Sequence, residues 1–112
     1  MLLIIAKKII PKGFSGLTFF PFVILRQKSD SQDKVLMNHE RIHLCQQMEL
    51  LVLPFYIWYL FEYLLRLLYY RKASLAYRNI CFEREAYLNE FDFDYLKKRS
   101  FFGFLKYLRQ TK

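Results

Sequence analysis

His39 and His43 are the only histidines in the chain, and they stand four residues apart with Glu40 directly after the first. On a helix, residues four apart lie one above the other on the same face, with Cβ atoms roughly 5–6 Å apart. At that spacing two imidazoles can converge on one zinc ion, which takes nitrogen ligands at about 2.0–2.1 Å. Glu40 would project beside the metal, where a carboxylate can take a proton from an attacking water and return it to a leaving amine. Together these residue types can perform metal-assisted hydrolysis.

Such a site needs a helix under it. Val35, Leu36 and Met37 precede the trio, and Leu44, Gln46, Gln47, Met48, Glu49, Leu50 and Leu51 follow, with no Gly or Pro among them. Most of these favour helix, so a helix is expected from about Lys34 toward Leu53. Asp30, Ser31 and Asp33 are its candidate caps. Pro54 then kinks the helix or opens a new one near its first turn.

Upstream, Leu2–Ile10 reads as a strand or a first helical turn, and Pro11, Gly13 and Gly16 punctuate the chain. Leu17–Arg26 is aromatic and β-branched, hence strand-like. Pro21 confines that strand to a sheet edge or a bulge. An edge there could pair with an extended peptide; the alternative is a core strand bent at Pro21.

Downstream, Leu50–Tyr70 is nearly all apolar and long enough to span a bilayer, but it carries Glu62 and Arg66 at i, i+4. A mid-bilayer charge costs roughly 2.5–3.5 kcal/mol, which favours a buried or interfacial helix. Ser74 would cap a further helix running from Leu75 to about Glu90. Asp92-Phe93-Asp94 turns the chain into a basic last segment, Tyr95–Lys112, either docked with a solvated basic face or laid on an anionic bilayer. The fold expected is α+β, mainly α, in a single domain over 1–112. Residues 1–28 supply short strands or a hairpin, and residues 33–112 about four helices.

Composition narrows the partners. Hydrophobic residues make up 54% of the chain and aromatics 20%, apolar enough to imply an aromatic core or a surface that meets lipid or protein. The net charge of +8 comes from spread basic residues with no nucleic-acid-binding signature, so a membrane surface is the better reading and nucleic acid is not expected. The apolar run at residues 1–6 precedes Lys7 and Lys8, the reverse of a signal peptide. A cytoplasmic or membrane-associated location is expected. Cys45 and Cys81 read as buried thiols, with a single bridge the alternative. Cys45 is turned about 200° from His43 and so is not a ligand of the same ion.

A catalytic zinc takes three protein ligands and leaves a fourth position open. With no third histidine, the last ligand is a carboxylate, or the Cys81 thiolate. Glu83 and Glu85 are the candidates. In a continuous helix Ala76, Ile80, Glu83 and Tyr87 share one stripe, whereas Glu85 shares a more mixed face with Arg78, Cys81, Leu88 and Asp92. The alternative has both glutamates solvated and paired with Arg78 or Arg84.

His39-Glu40-Arg41-Ile42-His43 resembles the HExxH motif of zinc metallopeptidases, the zincins. The later Glu83-Arg84-Glu85-Ala86-Tyr87 is similar to the second motif of gluzincins, distantly those of the prenyl-protein protease and β-lactam sensor type. In these a ligand glutamate is followed by a small residue three positions on and an aspartate four on. The match holds at Glu83 and Ala86; Tyr87 stands where the aspartate would be. The resemblance covers roughly residues 17–90. It implies a zinc-dependent peptidase acting on a peptide or protein, with His39, His43 and Glu83 as ligands and Glu40 as general base. Tyr77 or Tyr87 would donate to the oxyanion. The rival from another class is a small membrane-associated or scaffold protein with a structural or degenerate zinc site, whose fourth ligand would be Glu85 or Cys81.

Overall fold

Asp33 starts the helix that carries the histidines. Its carboxylate accepts the backbone N–H groups of Val35 and Leu36, each at 3.1 Å, and helix α1 runs Lys34–Leu50. In the computed structural model, which describes residues 2–109, three short strands precede it: β1 (Leu2–Ile5), β2 (Gly16–Phe19) and β3 (Phe22–Leu25). Met1 and residues 110–112, the ends of two expected segments, lie outside that range. Helices α2 (Val52–Tyr70), α3 (Ala73–Arg78), α4 (Cys81–Asn89) and α5 (Tyr95–Lys98) follow, then a 3-10 turn at Gly103–Tyr107. The fold is α+β and mainly α.

The strand order is β1-β3-β2, with β1 parallel and β2 antiparallel to β3. The stretch 17–26 is therefore a hairpin, not one strand: Phe20 and Pro21 turn the chain, Phe19 pairs with Phe22, and the central strand is β3. Proline's missing N–H costs nothing in the turn. Val23 and Leu25 on β3 are fully buried against Met37 of α1.

Two helix boundaries differ from those the sequence implies. The break after α1 falls at Leu51, which adopts a left-handed φ of 64°, and α2 leaves at 110° to α1. Pro54 sits in the first turn of α2, where no intrahelical N–H is needed. The single helix expected over 75–90 is two, broken at Asn79 and Ile80, which raises the count from four to five. Lys72, not Ser74, occupies the cap position of α3. The break lets Ile80, Cys81 and Phe82 turn inward together; with Phe55 and Phe104 they form the larger core, flanked by Trp58 and Tyr59. Among the described residues no single helix is long and apolar enough to cross a membrane, although the bent pair α1 and α2 together reaches that length and composition.

Candidate metal centre

α4 packs against α1, and this contact builds the site. His39 and His43 lie one turn apart on the buried face of α1, and Glu83 comes from the first turn of α4. The three ligand atoms form a nearly equilateral triangle. His43 Nε2 lies 3.2 Å from His39 Nε2 and 3.1 Å from Glu83 Oε1, and His39 Nε2 lies 3.3 Å from the same oxygen. All three residues are buried, and the group could hold a metal ion. Tetrahedral ligands at about 2.0–2.1 Å from an ion are separated from one another by about 3.3–3.4 Å, so the triangle fits such an ion without rearrangement.

The far side of each imidazole is also committed. His39 Nδ1 donates to Glu90 Oε1 at 2.9 Å, and His43 Nδ1 donates to Gln46 Oε1 at 2.8 Å. Gln46 is oriented in turn, because its Nε2 donates to the Phe82 carbonyl and to Glu85 Oε1. These bonds hold a proton on Nδ1, so that Nε2 is the nitrogen each ring turns toward a metal. Glu90 and Gln46 thus orient the histidines where the resemblance would have placed an aspartate at position 87. Tyr87 instead lays its ring edge-on to His39, with centroids 4.5 Å apart, and takes the Arg78 guanidinium on its face.

Electrostatics bind the trio even without an ion. Burial opposes a charge on His43, but the Glu83 carboxylate beside it, its hydrogen bond, and further help from Glu40 and Gln46 raise the imidazole pKa to about 9. For Glu83, burial pushes the other way and is outweighed by His43 and by hydrogen bonds from both imidazoles, which hold its carboxyl well below the usual range. Tyr59 donates to Glu83 Oε2 at 2.7 Å. Burial first, and then the Glu83 charge, keep that phenol protonated.

Glu40 lines the same cavity, of about 240 Å³, with both histidines and Glu83. Thr18 Oγ1 donates to Glu40 Oε1 at 2.9 Å and fixes it toward the cavity. Gly16 makes room for this: a Cβ there would stand 3.2 Å from Glu40 Oε2. Four hydroxyls border the site, and three are spoken for. Tyr59 is bound to Glu83, Tyr56 donates to the Thr18 carbonyl, and Thr18 itself holds Glu40. Tyr77 lines the cavity with its hydroxyl 3.1 Å from that of Tyr87, which lines an adjoining pocket with His39, Glu40 and Glu90.

The remaining candidates are placed elsewhere. Glu85 is fully buried, not on a mixed or solvated face, and accepts hydrogen bonds from Gln46, Tyr95 and Arg99. Arg99 also grips Glu49 at 2.7 and 3.0 Å, and all three charged side chains are at most 3% exposed. Arg99 is thus neither part of a solvated basic face nor available to lipid. Cys81 is a buried free thiol outside the group formed by His39, His43 and Glu83, and its backbone N–H is bound to Glu62. Cys45 is a half-buried free thiol beside Arg99. β2 is an edge strand, but its Thr18 carbonyl already accepts Gln47 and Tyr56, so that point is closed to an added strand. No family model, curated protein or solved structure matches this chain.

Of the residues that complete the site, Gln46 and Glu90 carried a sequence signal. Gln46 follows His43 by three, and Glu90 follows Glu83 by seven, so each shares a helical face with a ligand. Thr18, Tyr59 and Arg99 reach the site only through tertiary packing.

Proposed function

We propose that the chain is a minimal gluzincin-like metallopeptidase that uses zinc. The supporting observation is the triangle of His39, His43 and Glu83 with Glu40 held on the same cavity wall by Thr18. Two imidazoles and one carboxylate suit zinc better than magnesium or calcium, which favour all-oxygen sites. Zinc bound there would polarise a scissile carbonyl and make water more acidic. Glu40 accepts the proton of the attacking water and passes it to the leaving amine. Thr18 keeps the Glu40 carboxylate aimed into the cavity between those events. Tyr77, the hydroxyl not already committed to Glu83, Glu40 or Thr18, donates to the developing oxyanion. Glu90 and Gln46 hold the imidazole tautomers that leave both Nε2 atoms free.

The rival, a zinc used only for folding, needs a closed four-ligand shell. Glu85 is held by Arg99 and the Cys81 thiol is hydrogen-bonded to Glu62, neither belonging to the triangle, which supports an open fourth position. The test is zinc content and cleavage of a mixed peptide library by the purified protein. One equivalent of zinc is expected, with cleavage abolished in Glu40→Gln while zinc is retained. Zinc without cleavage in the unaltered chain would favour the structural role.

A further inference from the structure

α2 turns two different faces to its surroundings. Phe55, Tyr59 and Glu62 point into the protein. On the other face Leu53, Ile57, Leu60, Phe61, Leu64 and Leu68 recur at i, i+4, i+7, i+8, i+11 and i+15, and each is 48–76% exposed. They form an apolar stripe along most of the 19-residue helix, about 24 Å from Leu53 to Leu68. The largest apolar patch of a typical soluble monomer covers roughly 300–600 Å² and commonly marks a binding surface.

The charges around the stripe choose its occupant. Arg71 and Lys72, both exposed, follow α2 directly. The last segment lies against the same end, where Arg66 donates to the Leu108 carbonyl at 2.7 Å, and it brings exposed Lys106. The acid within α2, Glu62, is buried and paired with Arg66 at 3.1 Å. An apolar stripe with cations gathered at one end matches the acyl boundary and phosphates of an anionic bilayer. A second copy fits poorly, since each chain carries a net +8 and stacking stripes would bring two such molecules together.

We infer that α2 lies in the plane of an anionic membrane surface, its Leu53–Leu68 stripe in the acyl boundary and Arg71, Lys72 and Lys106 on the phosphates. The metal-site cavity is walled by Phe55, Tyr56 and Tyr59, from the opposite side of α2. Docking this way leaves the cavity on the water side. Resting on the peptidase reading, this adds that the substrate is a peptide segment held in water next to the membrane, not within it.

The experiment is co-sedimentation of the full chain with vesicles of equal parts phosphatidylglycerol and phosphatidylcholine, and with phosphatidylcholine alone. Zinc content and circular dichroism are read on the same samples. Binding at least tenfold tighter to the anionic vesicles is expected. Leu60→Ser/Leu64→Ser and Lys72→Gln/Lys106→Gln should each weaken it about tenfold or more with helicity and zinc unchanged. Equal binding to both vesicles, or binding untouched by the leucine variant, overturns the proposal. So does a soluble dimer that binds no vesicle and that the leucine variant makes monomeric. Resistance of membrane-bound protein to carbonate extraction would mean a spanning α2 and overturns it as well. Loss of zinc with vesicle binding intact would instead count against the metal site alone.

Discussion

Metal binding at this site has to displace a proton, and the structure says how strongly. A metal needs the free Nε2 of His43, yet the neighbouring Glu83 carboxylate raises that imidazole from 6.5 to about 9 in the metal-free protein, against the opposing effect of burial. At pH 7 such a ring would be about 99% protonated, so zinc affinity should lie about hundredfold below its ceiling. Between pH 7 and 9 the affinity should climb about tenfold per pH unit and then level off. Metal-free stability should move the opposite way. The folded pKa is raised, so the charged pair's contribution is complete below pH 6.5 and is lost as pH rises through 9. Its size follows from the same difference, about 3 kcal/mol. Chelator competition at several pH values gives the affinity slope, and thermal melts of metal-free protein give the stability. An affinity independent of pH together with a flat melting temperature over this range would refute the His43–Glu83 pairing on which the reasoning depends.

Four substitutions separate the roles of the carboxylates. Glu83→Gln removes a charged ligand and should lower zinc affinity by about hundredfold, a loss of about 3 kcal/mol, measured by competition with a chelator. Glu40→Gln should leave zinc content and melting temperature unchanged while peptide cleavage falls by orders of magnitude. Arg99→Met strands Glu49 and Glu85 as buried unpaired charges and should cost about 3–5 kcal/mol in denaturant melts; adding Glu85→Gln should recover part of it. Away from the site, Asp33→Ala removes the cap of α1 and should cost about 1 kcal/mol with no effect on metal affinity at saturating pH.

The histidine helix was legible because its information is local. Asp33, the apolar spacing and the His39–His43 offset all act within two turns of the chain, and the structure puts them where that pattern implies. Glu83 was harder. A continuous stripe with Ala76 and Ile80 points to the residue that meets the histidines, yet the helix is broken at Asn79 and Ile80, so only the part within α4 carries weight. Glu85 was misread because helical periodicity cannot see Arg99, which arrives from fourteen residues on and makes a buried position tolerable for a carboxylate. The hairpin at Phe20-Pro21 was missed for a related reason: a run of strand formers gives the residue type but not the reversal of direction. The Leu51 break was hidden too, since leucine favours helix and only the 110° turn of α2 onto the core forces its left-handed backbone.

Arg99 has a consequence for the order in which the protein comes into being. Glu49 sits at the end of α1 and Glu85 in α4, and until Arg99 arrives these two anions face each other in the interior that α1 and α4 must close. A growing chain that has reached Glu83 thus holds every ligand residue but pays like-charge repulsion to bring them together. Gly103 is then required at close quarters, because a Cβ there would come within 2.9 Å of Glu85 Oε2. Closing α1 on α4 is therefore most favourable once Arg99 and the chain at Gly103 are in place. Metal capture is thus expected late in synthesis, by a nearly finished chain, and a fragment ending before Arg99 should hold metal poorly.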